Sequence, residues 1–300
     1  MGAQLRAVRR RIATVKSTAK ITRAQELIAS SRILKAQQRV HASAPYAREI
    51  TSAVEAVVSR SGHIQHPLTT QAENPERAAV LILTSDRGFC GGYNATVMRE
   101  VLGLNAELAE QGVTPVPYVS GRKGIGWHRF RDREMAATWS GFSDTPVYAN
   151  ASMITRTLLE AFGAPAAEGG VDEIYLVYTE FVSMLTQRPV VRRLLPLEVA
   201  ERVERGPIPI YEFEPSPERV LDELLPWYVE SRIFHALLDA AAAEIAARRR
   251  AMKSATDNAN ELLEVLTREA NKARQAEITQ EISEIVGGAN ALAEAISGSK

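Results

Sequence analysis

The chain has 300 residues, a formal net charge of +0, 45% hydrophobic and 24% charged residues, which allows two domains or one domain plus an extended element. Its single cysteine, Cys90, excludes an internal disulfide and a cysteine-based zinc site, and no apolar run approaches the roughly 18 residues needed to cross a bilayer. The zero balance hides a segregation: residues 1–48 hold eleven Lys or Arg against one acid, Glu26, whereas residues 208–300 hold ten bases against sixteen acids, so the two ends are expected to pair.

Residues 3–43 contain no Gly or Pro. Leu5, Val8, Ile12 and Val15 recur at the a/d spacing of a coiled-coil seam. The seam then narrows to Ala19, Ala29 and Ala36, with Leu27, Ile28, Ile33, Leu34 and Val40 around them. Pro45 is a candidate kink, and the pattern resumes at Ile50, Val54 and Val57. Helix over 3–58 would span roughly 80 Å. The Arg-rich start resembles a transit peptide, but the periodicity runs unbroken past Lys35, so the segment is expected to be mature structure.

A polar stretch with Pro67 and Pro75 reads as a linker. Residues 78–84 (AAVLILT) form a continuous apolar run, the pattern of a strand buried on both faces. Further strands are expected at 115–120, 134–139, 174–181 and 190–196. Helices are expected at 95–110, 121–130 and 147–162. Alternation of strand and helix predicts a mostly parallel sheet, and the short connection at 182–188 predicts an antiparallel hairpin at its edge. Residues 163–171 (GAPAAEGGV) are expected to be a flexible surface loop.

Residues 208–217 are proline-rich and extended, and Ser216-Pro217-Glu218 is an N-cap followed by proline in the first turn. Beyond Pro226 no proline occurs. Ile245, Met252, Ala259, Leu266 and Ala273 recur every seven residues, with Ala255 and Leu262 interleaved as the second seam position. The expected organisation is an N-terminal coiled-coil helix (1–60), an inserted Rossmann-like α/β domain with its leading linker (61–207) and a C-terminal coiled-coil helix (208–300). The terminal helices are expected to pair antiparallel around a five-stranded, mostly parallel sheet, with Ile12 near Ile285.

No catalytic constellation is present. The cluster Asp86-Arg87-Gly88-Phe89-Cys90-Gly91-Gly92-Tyr93-Asn94 occupies a strand-to-helix turn, where phosphate loops sit. It matches neither GxGxxG nor GxxxxGK[ST]. Its residues Asp86, Gly88, Gly91, Gly92 and Asn94 are read as a structural turn whose glycines allow positive φ and close packing. Gly121, Gly124 and Gly126 receive the same reading. His63 and His66 have HxxH spacing without a carboxylate or thiol partner nearby, so no metal site is expected. Nor is a cofactor or a small-molecule substrate. The basic N-terminal helix invites a nucleic-acid reading. With Tyr46 as the sole aromatic among the first sixty residues, base stacking is unsupported, and no nucleic acid is expected.

Residues 274–291 break the pattern of a solvated face, because Gln275, Thr279, Gln280 and Glu284 cluster bifunctional hydrogen-bonding groups. The run IT-x-E-x-x-E-x-x-x-GA-x-A with Arg274-Gln275 upstream resembles the C-terminal signature of the gamma subunit of F-type ATP synthase. The turn DRGFCGGYN resembles that family's central motif, and residues 11–12, 18–24, 31–37 and 251–259 are similar to its helices, so the resemblance covers essentially the whole chain. It departs at Gln25, where the family commonly has Met, and the plastid members' regulatory cysteine pair is absent. The resemblance implies a non-catalytic central stalk. This stalk rotates inside a ring of three alpha and three beta subunits, resting on the epsilon subunit and the membrane ring of c subunits. It couples ion transport to ATP synthesis or hydrolysis at the beta subunits. It further implies a peripheral position on the cytoplasmic face of the bacterial cell membrane. Alpha and beta contacts are implied for Lys20, Arg23, Gln25, Arg274, Gln275, Thr279, Glu281 and Glu284.

Overall fold

A computed structural model describes residues 2–60, 68–70, 72–165, 168–197, 214 and 216–297. In chain order the elements are α1 (Gly2–Arg60), β1 (Arg77–Leu83), α2 (Tyr93–Glu110), β2 (Thr114–Ser120), α3 (Arg122–Arg129), β3 (Ala137–Trp139), α4 (Tyr148–Gly163), β4 (Glu173–Phe181), β5 (Gln187–Leu195) and α5 (Pro217–Ser297). Pro45 and Pro226 both lie inside their helices. The expected extended stretch at 208–217 and the pair His63 and His66 lie largely or wholly outside the described residues.

The chain forms two compact units, Ala29–Arg250 and Met1–Ile28 with Ala251–Lys300. In the first, five strands run in the order β3-β2-β1-β4-β5. The pairs β1–β2, β1–β4 and β2–β3 are parallel and β4–β5 is antiparallel, as the alternation and the short hairpin predict. Successive β1 side chains point to opposite faces. Ala79, Leu81 and Leu83 face a core built with Ile154 and Leu158 of α4 and with Val229, Ile233 and Leu237 of α5. Ala78, Val80 and Ile82 face Val97, Val101 and Leu108 of α2 and Ile125 of α3. Helices therefore cover both faces of the sheet, which is why 78–84 reads as an uninterrupted apolar run.

In this unit α5 has a second neighbour. Ala29, Ile33 and Ala36 of α1 pack on Ala242, Ile245 and Ala246, and Val54 and Val57 pack on Leu221 and Leu225. Numbers rise along one helix as they fall along the other, so the pairing is antiparallel. Flanked by the sheet and by α1, residues 236–247 of α5 are buried without interruption. The alanines there let both neighbours approach.

The other unit pairs the remaining halves of α1 and α5. Thr22 Oγ1 and Thr256 Oγ1 lie 2.7 Å apart, both buried; one hydroxyl donates to the other, which in turn donates to its own helix, to Ala19 O from Thr22 or to Met252 O from Thr256. Antiparallel continuation of that register sets Ile12 opposite Leu266, which is 1% exposed, and not opposite Ile285. The second seam position of α5 is corrected as well. Thr256 is buried, whereas Leu262 is 40% exposed and Ala255 half-buried. A threonine fills the seam because its hydroxyl is satisfied there on both sides.

Two smaller expectations change. β3 is shorter than 134–139, because Pro115 and Pro117 of its neighbour β2 have no N–H to offer and pairing is confined to Tyr118–Ser120. Within 163–171, Gly163, Pro165, Glu168 and Gly169 are exposed, as expected of a surface loop, but the end of the segment folds back onto α4. Gly170 N and Val171 N donate back to Pro165 O and Ala161 O, and Val171 is 3% exposed in the α4-side core.

Candidate functional site

The turn after β1 is held by side chains at its two ends. Asp86 Oδ2 accepts from Gly141 N at 2.7 Å and Ser143 N at 3.0 Å, and its Oδ1 accepts from Arg122 N at 3.1 Å. One carboxylate thus ties together three loops at the strand ends. Asn94 Oδ1 accepts from Ser85 N at 2.9 Å, while its Nδ2 donates to Ser85 Oγ and to Cys90 Sγ. Within this cluster Gly91 takes φ +59°, and Phe89 takes φ +61° without being glycine and stands 77% exposed. At Gly92 an added Cβ meets nothing within 4 Å, and at Gly88 only the end of the Lys123 side chain. The tight glycines lie in the neighbouring loop: Gly121, with φ +102° and an added Cβ 2.2 Å from Thr84 O, and Gly124, with an added Cβ 2.7 Å from Thr84 Oγ1.

This turn sits on α5. Cys90 and Tyr93 pack on Ala243 and Ala247, and Tyr93 donates to Ala240 O at 3.2 Å. Arg248 Nε and Nη2 donate to the carbonyls of Gly88 and Arg87 at 3.3 Å, and Nη2 also reaches Glu244 Oε1 at 2.6 Å. Glu244 is 1% exposed. Burial pushes its carboxyl up, and the Arg248 charge opposes that rise. A buried ion pair therefore pins the turn to the helix. The pair is invisible in the sequence, where Arg248, Arg249 and Arg250 are equivalent.

The residues implied as subunit contacts all belong to the unit of 1–28 and 251–300. Lys20, Arg23 and Gln25 are exposed on α1, and Arg274, Gln275, Thr279, Glu281 and Glu284 are exposed on α5. The two sets do not come together. With Thr256 beside Thr22, Arg274 lies roughly 27 Å further along α5 at 1.5 Å per residue. Some of these groups already have partners. Arg23 pairs with the buried Glu26 at 2.9 Å, Thr279 donates to Gln275 O, and Glu284 accepts from Gln280. Among the described residues, the side chains of Arg274, Gln275 and Glu281 have none.

An apolar stripe accompanies the polar ones. Ile278, Ile282, Ile285 and Val286 are 44%, 56%, 71% and 53% exposed, and their spacing puts them on one helical face. Ile21, Leu27 and Ile28 of α1 are also about half exposed. The i, i+4, i+7, i+8 spacing is present in the sequence, interleaved with the polar residues Thr279, Gln280, Glu281, Ser283 and Glu284. An exposed apolar face of this kind is characteristic of interaction surfaces. No helix among the described residues is long and apolar enough to cross a membrane.

Comparison with known proteins agrees with this geometry. A family model described as ATP synthase matches residues 4–292. The ATP synthase gamma chain of Acidothermus cellulolyticus is 61% identical over 295 residues, covering 97% of this chain and 98% of the relative. That of Thermobifida fusca is 58% identical over 306 residues, covering all of both. In fold, the chain is similar to one from the cryo-EM structure of Euglena gracilis mitochondrial ATP synthase containing OSCP, F1 and c-ring in rotational state 3. The TM-score is 0.68 at 16% identity, over 97% of this chain and 95% of that one. A second Euglena gracilis structure, of the rotor in rotational state 1, gives a TM-score of 0.66 at 15% identity, over 93% and 100%. Two antiparallel helices around an inserted sheet, an uncovered face at the end of the longer one and similarity to gamma chains along nearly the whole length lead to one assignment: the chain belongs to the family of ATP synthase gamma chains.

Proposed function

We propose that this chain is the non-catalytic central stalk of an F-type ATP synthase, turning within a ring of alpha and beta subunits and coupling ion flow through a membrane ring of c subunits to ATP synthesis or hydrolysis at the beta subunits. The observation that carries the reading is the α5 face of Ile278, Ile282, Ile285 and Val286, left bare in a chain similar to gamma chains from end to end. An apolar sleeve supplied by the ring would cover that face, and a non-directional contact of this type lets a shaft turn. Arg274, Gln275 and Glu281, with Lys20 and Gln25 on α1, supply orientation-dependent polar contacts. Arg offers a rigid fork of donors, and Gln both donates and accepts. An asymmetric shaft presents a different face to each beta subunit, and differential contact biases each subunit's nucleotide affinity.

In this reading the helices of 1–60 and 208–300 are the shaft, and the inserted domain of 61–207 is the foot that meets epsilon and the c ring. The chain is then peripheral to the membrane, on the cytoplasmic face of a bacterial cell. Co-purification tests it. Tagged chain should bring down alpha and beta together, and Ile282→Ser with Ile285→Ser should weaken that recovery. A coiled-coil scaffold outside the motor would bring down neither.

A further inference from the structure

A groove of about 370 Å³ opens between α1 and α5 in the unit Ala29–Arg250, on a floor of two α1 alanines. Arg48, Thr51 and Ser52 line it from α1, and Arg232 and His235 from α5. Among the described residues no carboxylate lines it. Neither guanidinium forms an ion pair with a described residue, and the nearest aromatic partner is the Tyr228 ring, 5.9 Å from Arg232 Cζ. Thr51 is spent on its own helix, donating to Ala47 O at 2.7 Å, which leaves the Ser52 hydroxyl free to donate. His235 Nδ1 is buried, with no partner among the described residues.

We propose that this groove is an oxyanion site that takes a phosphate group, held by the forks of Arg48 and Arg232, the Ser52 hydroxyl and the His235 ring. Paired guanidiniums with a hydroxyl and an imidazole are the donor set that a tetrahedral dianion satisfies, and Arg–phosphate contacts are short and charge-assisted. The acids nearest His235 do not forbid an anion. Glu180 of β4 is held by Arg188 at 2.6 Å. Asp239 of α5, 3.8 Å from His235 Nε2, is buried, which pushes its carboxyl up to about 7, so near neutrality it carries only part of its charge. Burial and the Arg232 charge hold the His235 imidazole below its ordinary value. A bound dianion acts in the opposite direction.

The test uses the full chain, titrated with inorganic phosphate, and separately with AMP as a phosphomonoester, at ionic strength matched with chloride. Binding is read by calorimetry and by the pH titration of the His235 ring proton, assigned from the spectrum of His235→Gln. The expected result is saturable phosphate binding, a His235 titration moved to higher pH, and at least about tenfold weaker binding in Arg48→Gln and in Arg232→Gln. AMP binding as well as phosphate assigns the site to phosphoryl groups in general, and phosphate alone assigns it to the free anion. An absence of saturation with both, affinity retained in both arginine variants, or an unmoved His235 titration would overturn the proposal.

Discussion

Replacing Arg248 with alanine probes how the α/β domain grips the long C-terminal helix. An exposed i,i+4 ion pair would be worth only about 0.3–0.5 kcal/mol. Burial makes this one different: the Arg248 side chain is 12% exposed and that of Glu244 1%. Losing the guanidinium strands a buried carboxylate and strips a donor from the carbonyls of Arg87 and Gly88. Removing one partner of a buried pair costs about 3–5 kcal/mol. All three tryptophans, Trp127, Trp139 and Trp227, lie in the unit Ala29–Arg250, so urea unfolding followed by tryptophan fluorescence reports this unit alone. The double variant Glu244→Gln with Arg248→Met removes both charges and keeps the apolar stem, and it should cost less than Arg248→Ala alone. The sign with pH follows from Glu244, whose folded carboxyl is already raised and rises further once Arg248 is gone. The neutral form costs little and the charged form much, so the loss in Arg248→Ala should be small at pH 5 and large at pH 8. A loss below about 1 kcal/mol, equal at both pH values, would refute the reasoning.

Asp239 sets a second pH dependence. Its folded carboxyl is raised to about 7 from 3.8, so the stability it supports is present in acid and is lost as pH rises towards 7. The ceiling is about 4 kcal/mol, and Asp239→Asn should flatten the stability profile between those values, as read by the same fluorescence assay. Gly121→Ala should cost several kcal/mol in urea midpoint experiments, because φ +102° and the Thr84 carbonyl at 2.2 Å both oppose a Cβ, whereas Gly92→Ala should lie within about 0.5 kcal/mol of the parent. Arg274→Ala with Gln275→Ala should leave the isolated fold unchanged within about 0.5 kcal/mol, yet impair assembly or coupled ATP synthesis. Full ATP synthesis by the assembled double variant would reduce both residues to ordinary surface.

The parts of the fold that were legible in the sequence are those governed by repeated local burial. Residues 78–83 lie between two helical layers and must be apolar at every position, and the α1 seam repeats through Leu5, Val8, Ile12 and Val15. What stayed hidden rests on contacts remote in sequence or on polar groups in apolar places. Thr256 fills a seam position because Thr22 meets it from the far end of the chain, and a search for apolar residues passes it by in favour of Leu262. The Glu244–Arg248 clamp reaches a turn 160 positions away, and no local pattern separates Arg248 from Arg249 and Arg250. Phe89 holds a left-handed φ that composition assigns to its glycine neighbours. At the C-terminal end the motif drew attention to Arg274, Gln275, Thr279, Glu281 and Glu284. The bare face of Ile278, Ile282, Ile285 and Val286 has the spacing of a helical stripe, but its exposure depends on α5 continuing with no described residue packed against it.

The central claim is that this chain turns relative to the subunits around it. The alpha and beta ring is fixed to a surface, the full chain is assembled into it, and a probe is attached to an exposed cysteine introduced in the α/β domain, with buried Cys90 left in place. Supplying ATP should drive the probe in one direction with three dwell positions per turn, one for each beta subunit. Steady ATP hydrolysis by the assembled complex, with the probe fixed at one angle, would contradict the account.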